Sequence, residues 1–326
     1  MAKKRSSDTT RTPSGRGSRR IELSVVVPLF NEGPYVAEVF DHIERALRTA
    51  RVTYEIILID DGSEDDTWNE LRRLAGQRRE CRAIGFSRNF GKEAALSAGI
   101  DEARGDAVII MDGDLEHPPE LIPRMVEHWR SGKFDIVEAV KTRRSGGPLR
   151  RFRARAFYAV LRLLSGIDLR GTTDFKLLDR SVVRAYQTMP ERNLFFRGMV
   201  YWLGFRRMSV PFEVPERIGG ETRWSVWKLI SLALLGVTAY TTYPLRLITV
   251  SGFLFFVFAV GLSLQTLYNW FIIGVEAGAG FATVIILILI TGSAIMMGLG
   301  IIGEYLARIY EELKQRPRYV VARRED

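Results

Sequence analysis

The chain has 326 residues, of which 47% are hydrophobic and 26% are charged, and its formal net charge is +9 at pH 7. This length suits one large α/β domain with a membrane part, and the single cysteine, Cys81, excludes an intrachain disulfide. Because the basic residues are concentrated in an N-terminal tail and beside apolar stretches, the charge indicates a membrane surface and not a nucleic-acid partner.

The composition of residues 1–20 predicts a disordered basic tail, and after it apolar runs alternate with helical patterns. The predicted strands are Leu23–Pro28, Tyr54–Asp60, Ala83–Phe86, Ala107–Met111 and Phe134–Val140. The predicted helices between them are Pro34–Arg48, Asp66–Gln77, Lys92–Ala103 and Pro118–Arg130. Such alternation predicts an α/β fold with a mostly parallel sheet that is covered on both faces by helices.

Polar side chains collect where three of these strands end. The first strand ends in the loop 28–32, the second in Asp60 and Asp61, and the fourth in Asp112 and Asp114. Ligands of open α/β sheets bind at the carboxyl ends of the strands, so we predict the site at this edge. No GxGxxG or GxxxxGK[ST] follows the first strand, which excludes the usual dinucleotide and P-loop phosphate cradles.

The pair Asp112 and Asp114 is a candidate metal site. Residues i and i+2 of an extended segment point the same way, and paired carboxylates suit a hard cation such as Mg²⁺ or Mn²⁺. Two solvated acids in a turn are the alternative. Asp60 and Asp61 favour the metal, because several carboxylates along one edge repel one another unless cations compensate. His117 has no cysteine or histidine partner at zinc spacing, so a zinc site is not predicted.

Two stretches towards the C-terminus, 247–275 and 277–303, contain no Asp, Glu, Lys or Arg. Each is longer than the about 20 residues that cross the hydrocarbon core, so we predict two transmembrane helices. A buried hairpin in a soluble domain is the alternative, although such helices usually carry a polar stripe. Basic residues flank the pair of stretches, and none lies in the loop 276–280, which predicts that both flanks are cytosolic.

Between the sheet and the first apolar stretch the pattern is less regular. The segment Pro148–Leu164 has apolar residues at helical spacing with arginines between them. It predicts an amphipathic helix, either on the membrane surface or with a solvated basic face. A second helical segment, Trp224–Ala239, leads into the first predicted span.

Four ordered segments, Val25 to Glu32, Ile57 to Ser63, Ser87 to Lys92 and Met111 to Glu120, resemble family 2 glycosyltransferases of the GT-A fold. Within that family the chain is similar to the polyprenyl-phosphate glycosyltransferases, which include bactoprenol glucosyltransferases and dolichol-phosphate mannose synthases. The resemblance covers residues 21–320. It implies a catalytic domain over 21–218, a juxtamembrane region over 219–243, two transmembrane helices within 244–303 and a cytosolic C-terminal tail over 304–326.

The resemblance also implies roles for the residues at the strand ends. The implied nucleotide-sugar site consists of Pro28, Asn31, Glu32, Asp60, Asp61, Lys92 and Asp112. Asp112 and Asp114 would hold Mg²⁺ or Mn²⁺ on the donor diphosphate, where a cation stabilises the leaving group. Relatives usually have Asp-Ala-Asp-Leu-Gln where this chain has Asp-Gly-Asp-Leu-Glu, and the substituted Glu116 still offers an oxygen ligand.

Asp174, in the segment Gly171 to Arg180, corresponds to the residue that the family assigns as the catalytic base. A phosphate monoester loses its second proton near about pH 6 and needs no strong base, so Asp174 either removes a proton or orients the acceptor. The resemblance implies that Arg197 is a catalytic phosphate clamp. Arg217 and Arg223 are assigned to the lipid phosphate, because planar guanidinium groups bind phosphate well.

The implied reaction is inverting transfer of a hexose, with UDP-glucose as the leading donor, to undecaprenyl or another polyprenyl phosphate at the cytosolic face of the inner membrane. GDP-mannose, UDP-N-acetylhexosamine and UDP-formamidoarabinose stay open as donors. The alternatives are a processive polysaccharide synthase, whose Gln-x-x-Arg-Trp motif is not matched before Trp224, and a non-catalytic nucleotide-sugar-binding scaffold. The family also implies a homo-oligomer, with a tetramer as one arrangement.

Overall fold

The computed structural model describes residues 20–114, 116–141, 172–191, 195–212, 243–268, 271–272 and 281–326. The strands in these ranges are β1 Leu23–Leu29, β2 Tyr54–Asp60, β3 Cys81–Phe86, β4 Ala107–Ile110, β5 Ile136–Lys141, β6 Thr172–Asp179, β7 Arg207–Phe212 and β8 Val321–Glu325. The helices are α1 Val36–Ala50, α2 Thr67–Gln77, α3 Lys92–Glu102, α4 Ile122–Arg130, α5 Arg180–Gln187, α6 Phe196–Trp202, α7 Tyr243–Tyr268 and α8 Phe281–Leu313. Short 3-10 turns at Gly33–Tyr35 and Pro119–Leu121 lead into α1 and α4.

All eight described strands form one sheet in the order β7-β5-β6-β4-β1-β2-β3-β8. The central strands β4, β1, β2 and β3 are parallel to one another, and β7 is parallel to β5. Strand β6 runs antiparallel between β4 and β5, and β8 runs antiparallel at the edge. The predicted mostly parallel α/β sheet is therefore confirmed.

Helices cover both faces of the sheet, which explains the nearly continuous apolar sequence of its central strands. On one face, α1 buries Val39, Phe40 and Ile43 against the sheet at helical spacing, together with residues of α2 and α4. On the other face, α3, α5 and α6 pack against the same strands, with Tyr186 and Phe196 fully buried.

The predicted elements of the N-terminal half agree closely with the structure. Strand β2 has the predicted bounds Tyr54–Asp60, and the helix predicted from Pro34 begins as a 3-10 turn before it becomes α1. Strands β6, β7 and β8 were not among the predicted elements. The predicted helices Pro148–Leu164 and Trp224–Ala239, and the basic tail up to residue 19, lie outside the described residues.

The segment assigned to a C-terminal tail contributes the edge strand of the sheet. Strand β8 pairs with β3, and ahead of it the ring of Tyr319 stacks on Phe86 with centroids 5.1 Å apart. The Arg318 guanidinium donates to the Met189 carbonyl at 2.6 Å. These contacts join the chain that follows the second apolar helix to the N-terminal domain.

Replacing Tyr319 with alanine is expected to destabilise this domain by about 2–4 kcal/mol, because it removes an aromatic contact and leaves Phe86 partly uncovered. Tyr319→Phe removes only the hydroxyl that donates to Asp101 and is expected to cost about 1 kcal/mol or less. Thermal unfolding of the full chain in detergent measures both. A Tyr319→Ala protein that unfolds at the wild-type temperature would argue against this docking.

Two helices, α7 and α8, are long and apolar enough to cross a membrane. Their apolar segments are Leu245–Tyr268, with a mean hydropathy of 2.3, and Leu287–Leu313, with a mean hydropathy of 1.8. Large side chains on both, including Phe253, Phe256 and Met297, are exposed. A soluble helical hairpin would bury such side chains, so the structure agrees with the predicted spans.

Candidate active site

The register of the sheet explains why residues far apart in sequence meet at one edge. Strand β6 is antiparallel to β4, and Ile110 pairs with Lys176. When this register is continued past the end of β4, position 112 lies opposite position 174. The carboxyl end of β4 and the start of β6 thus bring Asp112 and Asp174 together.

Asp174 is held by two cations. The Arg197 guanidinium donates from Nε and Nη2 to its two oxygens at 2.6 and 2.8 Å, and the Lys92 ammonium donates to Oδ2 at 2.6 Å. The Asp174 side chain is 5% exposed. Burial alone would raise its pKa, but Arg197 and Lys92 hold the pKa of this carboxyl well below its usual range. Asp174 is therefore ionised throughout the neutral range and is a weak base.

Lys92 connects this carboxylate to the candidate metal pair. Its ammonium lies 2.6 Å from Asp112 Oδ1 as well as 2.6 Å from Asp174 Oδ2. Burial opposes the charge, but the carboxylates of Asp174 and Asp112 raise the pKa of Lys92 above its ordinary value. Lys92 is the first residue of α3 and directly follows the N-cap residue of this helix, Gly91.

Asp112, Asp114 and His117 form a cluster in which one ligand atom from each residue lies within 4.8 Å of the others. Asp114 has an exposed side chain, yet loss of part of its hydration, together with the carboxylates of Asp112 and Glu116, raises its pKa. The Glu116 carboxylate lies 3.4 Å from the Lys141 ammonium and is not part of this cluster. Sequence reasoning expected an oxygen ligand at Glu116, and the structure also places the buried imidazole of His117 beside the pair.

The charges of this site fit a divalent cation. Asp112, Asp114 and Asp174 contribute three negative charges, and Lys92 and Arg197 contribute two positive charges that are both directed at Asp174. The carboxylate of Asp114 accepts only the Glu116 backbone N–H among the hydrogen bonds of the described residues. A hard cation would satisfy this oxygen-rich position, so the residues present fit Mg²⁺ or Mn²⁺.

The second acidic pair, at the end of β2, shapes the neighbouring loops. Asp60 accepts the Ser63 backbone N–H at 2.9 Å, and Asp61 accepts the backbone N–H groups of Phe90 and Gly91 at 2.7 and 2.9 Å. Both residues are 3% exposed. Burial raises the pKa of Asp61, although the two N–H donors oppose that shift. Asp61 therefore ties the 88–91 loop to the strand end.

Gly62 permits this turn because its backbone has φ of +70° and an added Cβ would lie 2.2 Å from the Arg88 carbonyl carbon. The loop after β1 is fixed in a similar way. Asn31, at φ of 55°, accepts the Glu64 N–H on its side-chain oxygen at 2.9 Å, and its own N–H donates to Ser63. The loops after β1 and β2 thus form one hydrogen-bonded unit.

The structure places the remaining predicted residues as follows. Pro28 lies in β1 and pairs with Ile59. Loss of hydration, together with the charges of Asp114 and Asp65, raises the pKa of Glu32. Arg217 and Arg223 lie outside the described residues.

Sequence reasoning missed two charged groups near Asp174, the half-buried Glu93 and the buried Lys176. The Glu93 carboxylate accepts the Phe196 backbone N–H at 2.8 Å, one residue before Arg197. The Lys176 ammonium pairs with Glu138 at 2.6 Å, and both side chains are under 10% exposed. No sequence signal marked Glu93, because an acid in the first turn of a helix is common and is normally solvated. Nothing in the sequence pairs Lys176 with Glu138, since β5 and β6 are joined by a long connection.

Glu93 makes the stability of the domain sensitive to pH. Burial and the negative charge of Asp174 raise its pKa from 4.5 to about 7, against the opposing charges of Lys92 and Arg197. Between these values the folded chain keeps a proton that the unfolded chain has lost, so this group lowers stability as pH rises.

Replacing Glu93 with glutamine keeps an acceptor for the Phe196 N–H and removes the titration. Relative to the wild type, we expect the variant to gain up to about 3 kcal/mol of stability between pH 5 and pH 8. Thermal unfolding across this pH range measures the gain. Parallel curves for the two proteins would contradict the assignment.

With the geometry established, comparison with known proteins identifies the family. The sequence profile described as Glycosyl transferase family 2 matches residues 24–190. The chain belongs to glycosyl transferase family 2. The match includes β1 to β6 and therefore every strand that carries the acidic residues of the site.

Relatives of this family 2 glycosyltransferase extend beyond the matched region. An uncharacterized glycosyltransferase of Synechocystis sp. is 40% identical over 304 residues, which cover 93% of this chain and 95% of the relative. A prophage bactoprenol glucosyl transferase homolog of Escherichia coli is 36% identical over 308 residues, covering 93% and 99%. The bactoprenol glucosyl transferase of Shigella phage SfX is 36% identical over 310 residues, covering 93% and 100%.

A solved structure confirms the fold of this family 2 enzyme. Glucosyl-3-phosphoglycerate synthase from Mycobacterium tuberculosis, crystallised with Mg²⁺ and UDP, superposes with a TM-score of 0.51 at 21% identity. The superposition covers 68% of this chain and 79% of the other. The GT-A fold predicted from the sequence is therefore confirmed.

Proposed function

We propose that this glycosyltransferase transfers a hexose from a nucleotide-sugar, with UDP-glucose as the leading donor, to a polyprenyl phosphate. The observation that carries the proposal is the similarity, over 93% of the chain, to proteins named bactoprenol glucosyl transferase. A lipid acceptor explains why α7 and α8 belong to the same chain as the catalytic domain.

The donor binds at the carboxyl ends of β1, β2 and β4 in this proposal. The linked loops 28–32 and 60–63 hold the nucleoside, and the diphosphate lies beside Asp112 and Asp114. When bound, Mg²⁺ or Mn²⁺ offsets the charge that develops on the departing nucleoside diphosphate. Lys92, which already contacts Asp112, adds a second positive charge near the same oxygens.

Asp174 acts as an orienting residue in this proposal. Its depressed pKa makes it a poor proton acceptor, and both of its oxygens already accept hydrogen bonds from Arg197 and Lys92. The acceptor phosphate needs no base, because its second proton is lost near about pH 6. Asp174 therefore fixes two cations beside the position proposed for the acceptor phosphate.

The chemical step is a displacement at the anomeric carbon. An oxygen of the acceptor phosphate forms a bond to this carbon while the bond to the donor diphosphate breaks, and the nucleoside diphosphate leaves with the electron pair. Inversion gives a β-linked lipid phosphate sugar from an α-linked donor. Arg197 and Lys92 reduce the repulsion between two anions during the approach.

The proposal places the catalytic domain and both chain termini at the cytosolic face of the inner membrane. Strand β7 ends at Phe212, ahead of α7, and Arg318, which follows α8, contacts the same domain. The chain between these two residues must therefore cross the membrane an even number of times. The exposed apolar side chains of α7 and α8 suit lipid or a further copy of the chain, and a homo-oligomer, as large as a tetramer, is part of the proposal.

A transfer assay with the purified full chain tests this function. Undecaprenyl phosphate and Mg²⁺ or Mn²⁺ are mixed separately with radiolabelled UDP-glucose, GDP-mannose, UDP-N-acetylglucosamine and UDP-formamidoarabinose, and label in the organic phase is counted. We expect label from UDP-glucose. Label from another donor corrects the sugar, and a long water-soluble polymer supports a processive synthase.

Donor binding without any product would support the scaffold alternative. The membrane face is tested with sealed vesicles, since nucleotide-sugars do not cross bilayers. Inside-out vesicles are expected to label lipid and right-side-out vesicles are not.

A further inference from the structure

His117 is a buried side chain whose polar atoms have no partner. It is 3% exposed, and neither Nδ1 nor Nε2 has a hydrogen-bond partner among the described residues. A buried imidazole without hydrogen bonds costs free energy that a folded protein seldom leaves uncompensated. This cost is removed if a bound ligand supplies the partner that the described residues do not provide.

The ring of His117 is aimed at the acidic pair. Nδ1 lies 3.6 Å from Asp112 Oδ2, and the ring is packed near Phe175 and Phe212, with centroids 5.8 and 6.0 Å away. The aromatic packing fixes the direction of the imidazole. The 3.6 Å separation is too long for a hydrogen bond and leaves the facing nitrogen available.

The geometry points to His117 as a third protein ligand, with Asp112 and Asp114, of the divalent cation that the proposed function requires. One atom from each of the three residues lies within 4.8 Å of the others, as the ligands of one ion must. Glu116, for which the sequence suggested an oxygen ligand, pairs with Lys141 at 3.4 Å and is not part of this three-residue cluster. The set is then two carboxylates and one imidazole.

An imidazole ligand has a consequence for the choice of metal. Mg²⁺ strongly prefers oxygen ligands, whereas imidazole nitrogen binds transition metals well. The site therefore favours Mn²⁺ over Mg²⁺, whereas the two carboxylates alone would suit either ion. Replacing His117 by a residue without a ligand atom would lower the affinity for Mn²⁺ more than that for Mg²⁺.

Pulsed electron paramagnetic resonance of the full chain with bound Mn²⁺ and UDP tests the assignment directly. Coordination of an imidazole nitrogen gives a nitrogen modulation that carboxylate and phosphate oxygens do not give. We expect this modulation in the wild type and its loss in His117→Phe, a substitution that keeps an aromatic ring near Phe175 and Phe212. The matched control is His128→Phe, because His128 lies on α4 and its ring also packs near a phenylalanine, Phe134.

The same variants give an affinity test by titration with Mn²⁺ and with Mg²⁺. For His117→Phe, we expect the Kd of Mn²⁺ to rise at least about tenfold and that of Mg²⁺ by less than about threefold. His128→Phe should bind both ions like the wild type.

Bound Mn²⁺ without nitrogen modulation in the wild type would overturn the inference, as would unchanged Mn²⁺ affinity in His117→Phe. Neither result bears on whether sugar is transferred to lipid, because both readouts measure the metal and not turnover. Absence of transfer activity alongside a clear nitrogen modulation would overturn the proposed function and keep the ligand assignment.

Discussion

Replacing Asp174 with asparagine is expected to lower kcat by about 100- to 1000-fold, since the variant removes the charge that orders Lys92 and Arg197 in the proposed site. Asparagine is nearly isosteric and can still accept one hydrogen bond from Arg197. It cannot hold both Arg197 and Lys92, whose positive charges would then repel each other. Steady-state assays of lipid labelling with the full chain measure the change.

Asp135→Asn is the matched control for this variant. Asp135 also forms a two-point ion pair with an arginine, Arg206, at 2.7 and 2.9 Å, but it precedes β5 at the opposite edge of the sheet. We expect its kcat to be within about twofold of the wild type, as for a surface pair. Activity of Asp174→Asn close to that of the control would contradict the role of Asp174.

The pH profile separates an orienting role from that of a base. If Asp174 orients the acceptor, kcat/KM rises through about pH 6 in both the wild type and Asp174→Asn, because this limb reports the acceptor phosphate. The kcat/KM values of the variant then follow the same pH dependence as those of the wild type, but at a lower level. A rise that is present in the wild type and missing from the variant would indicate that Asp174 takes a proton.

Replacing Asp114 with asparagine is expected to lower kcat/KM by about a thousandfold, the effect of losing several kcal/mol of charge stabilisation at the leaving group. Asp114 is the informative choice, because no cation of the described residues pairs with it and its loss leaves the contacts among Lys92, Asp174 and Arg197 intact. A chelator should abolish wild-type activity, and added Mn²⁺ should restore it.

Asp106→Asn serves as the control for Asp114→Asn. Its carboxylate pairs with the exposed Arg20 at 2.9 Å just before β4 begins, at the edge of the sheet that faces away from the site. The control should keep wild-type metal dependence. Full activity of Asp114→Asn at low Mn²⁺ would show that the carboxylate is not a metal ligand.

Much of the fold was predictable because its central strands are buried on both faces. Such strands read as short apolar runs between amphipathic helices, and Tyr54–Asp60 was predicted with the bounds of β2. The edge strands were not predictable in the same way. The segment of β8, Val-Ala-Arg-Arg-Glu, carries three charged residues, and only its pairing with β3 makes it a strand.

The sequence named candidate site residues one by one, but it did not predict the contacts among them. Sequence patterns placed Asp112, Lys92 and Asp174 in separate motifs. Their contacts depend on the antiparallel register of β4 and β6, which no local pattern encodes. His117 was set aside because it lacks a cysteine or histidine partner for zinc. The spacing Asp-x-Asp-x-x-His, read with carboxylates as partners, was the available signal.

The edge strand β8 also sets the order of events during synthesis. Ala83 pairs with Glu325, so both apolar helices are made by the ribosome after β3 and before its partner strand. Until Val321–Glu325 emerges from the ribosome, this edge of β3 is unpaired and is a surface for unwanted strand addition. The sheet is therefore complete only after α7 and α8 have left the ribosome. Slow insertion of these helices into the membrane would lengthen the period in which the nascent chain is prone to aggregate.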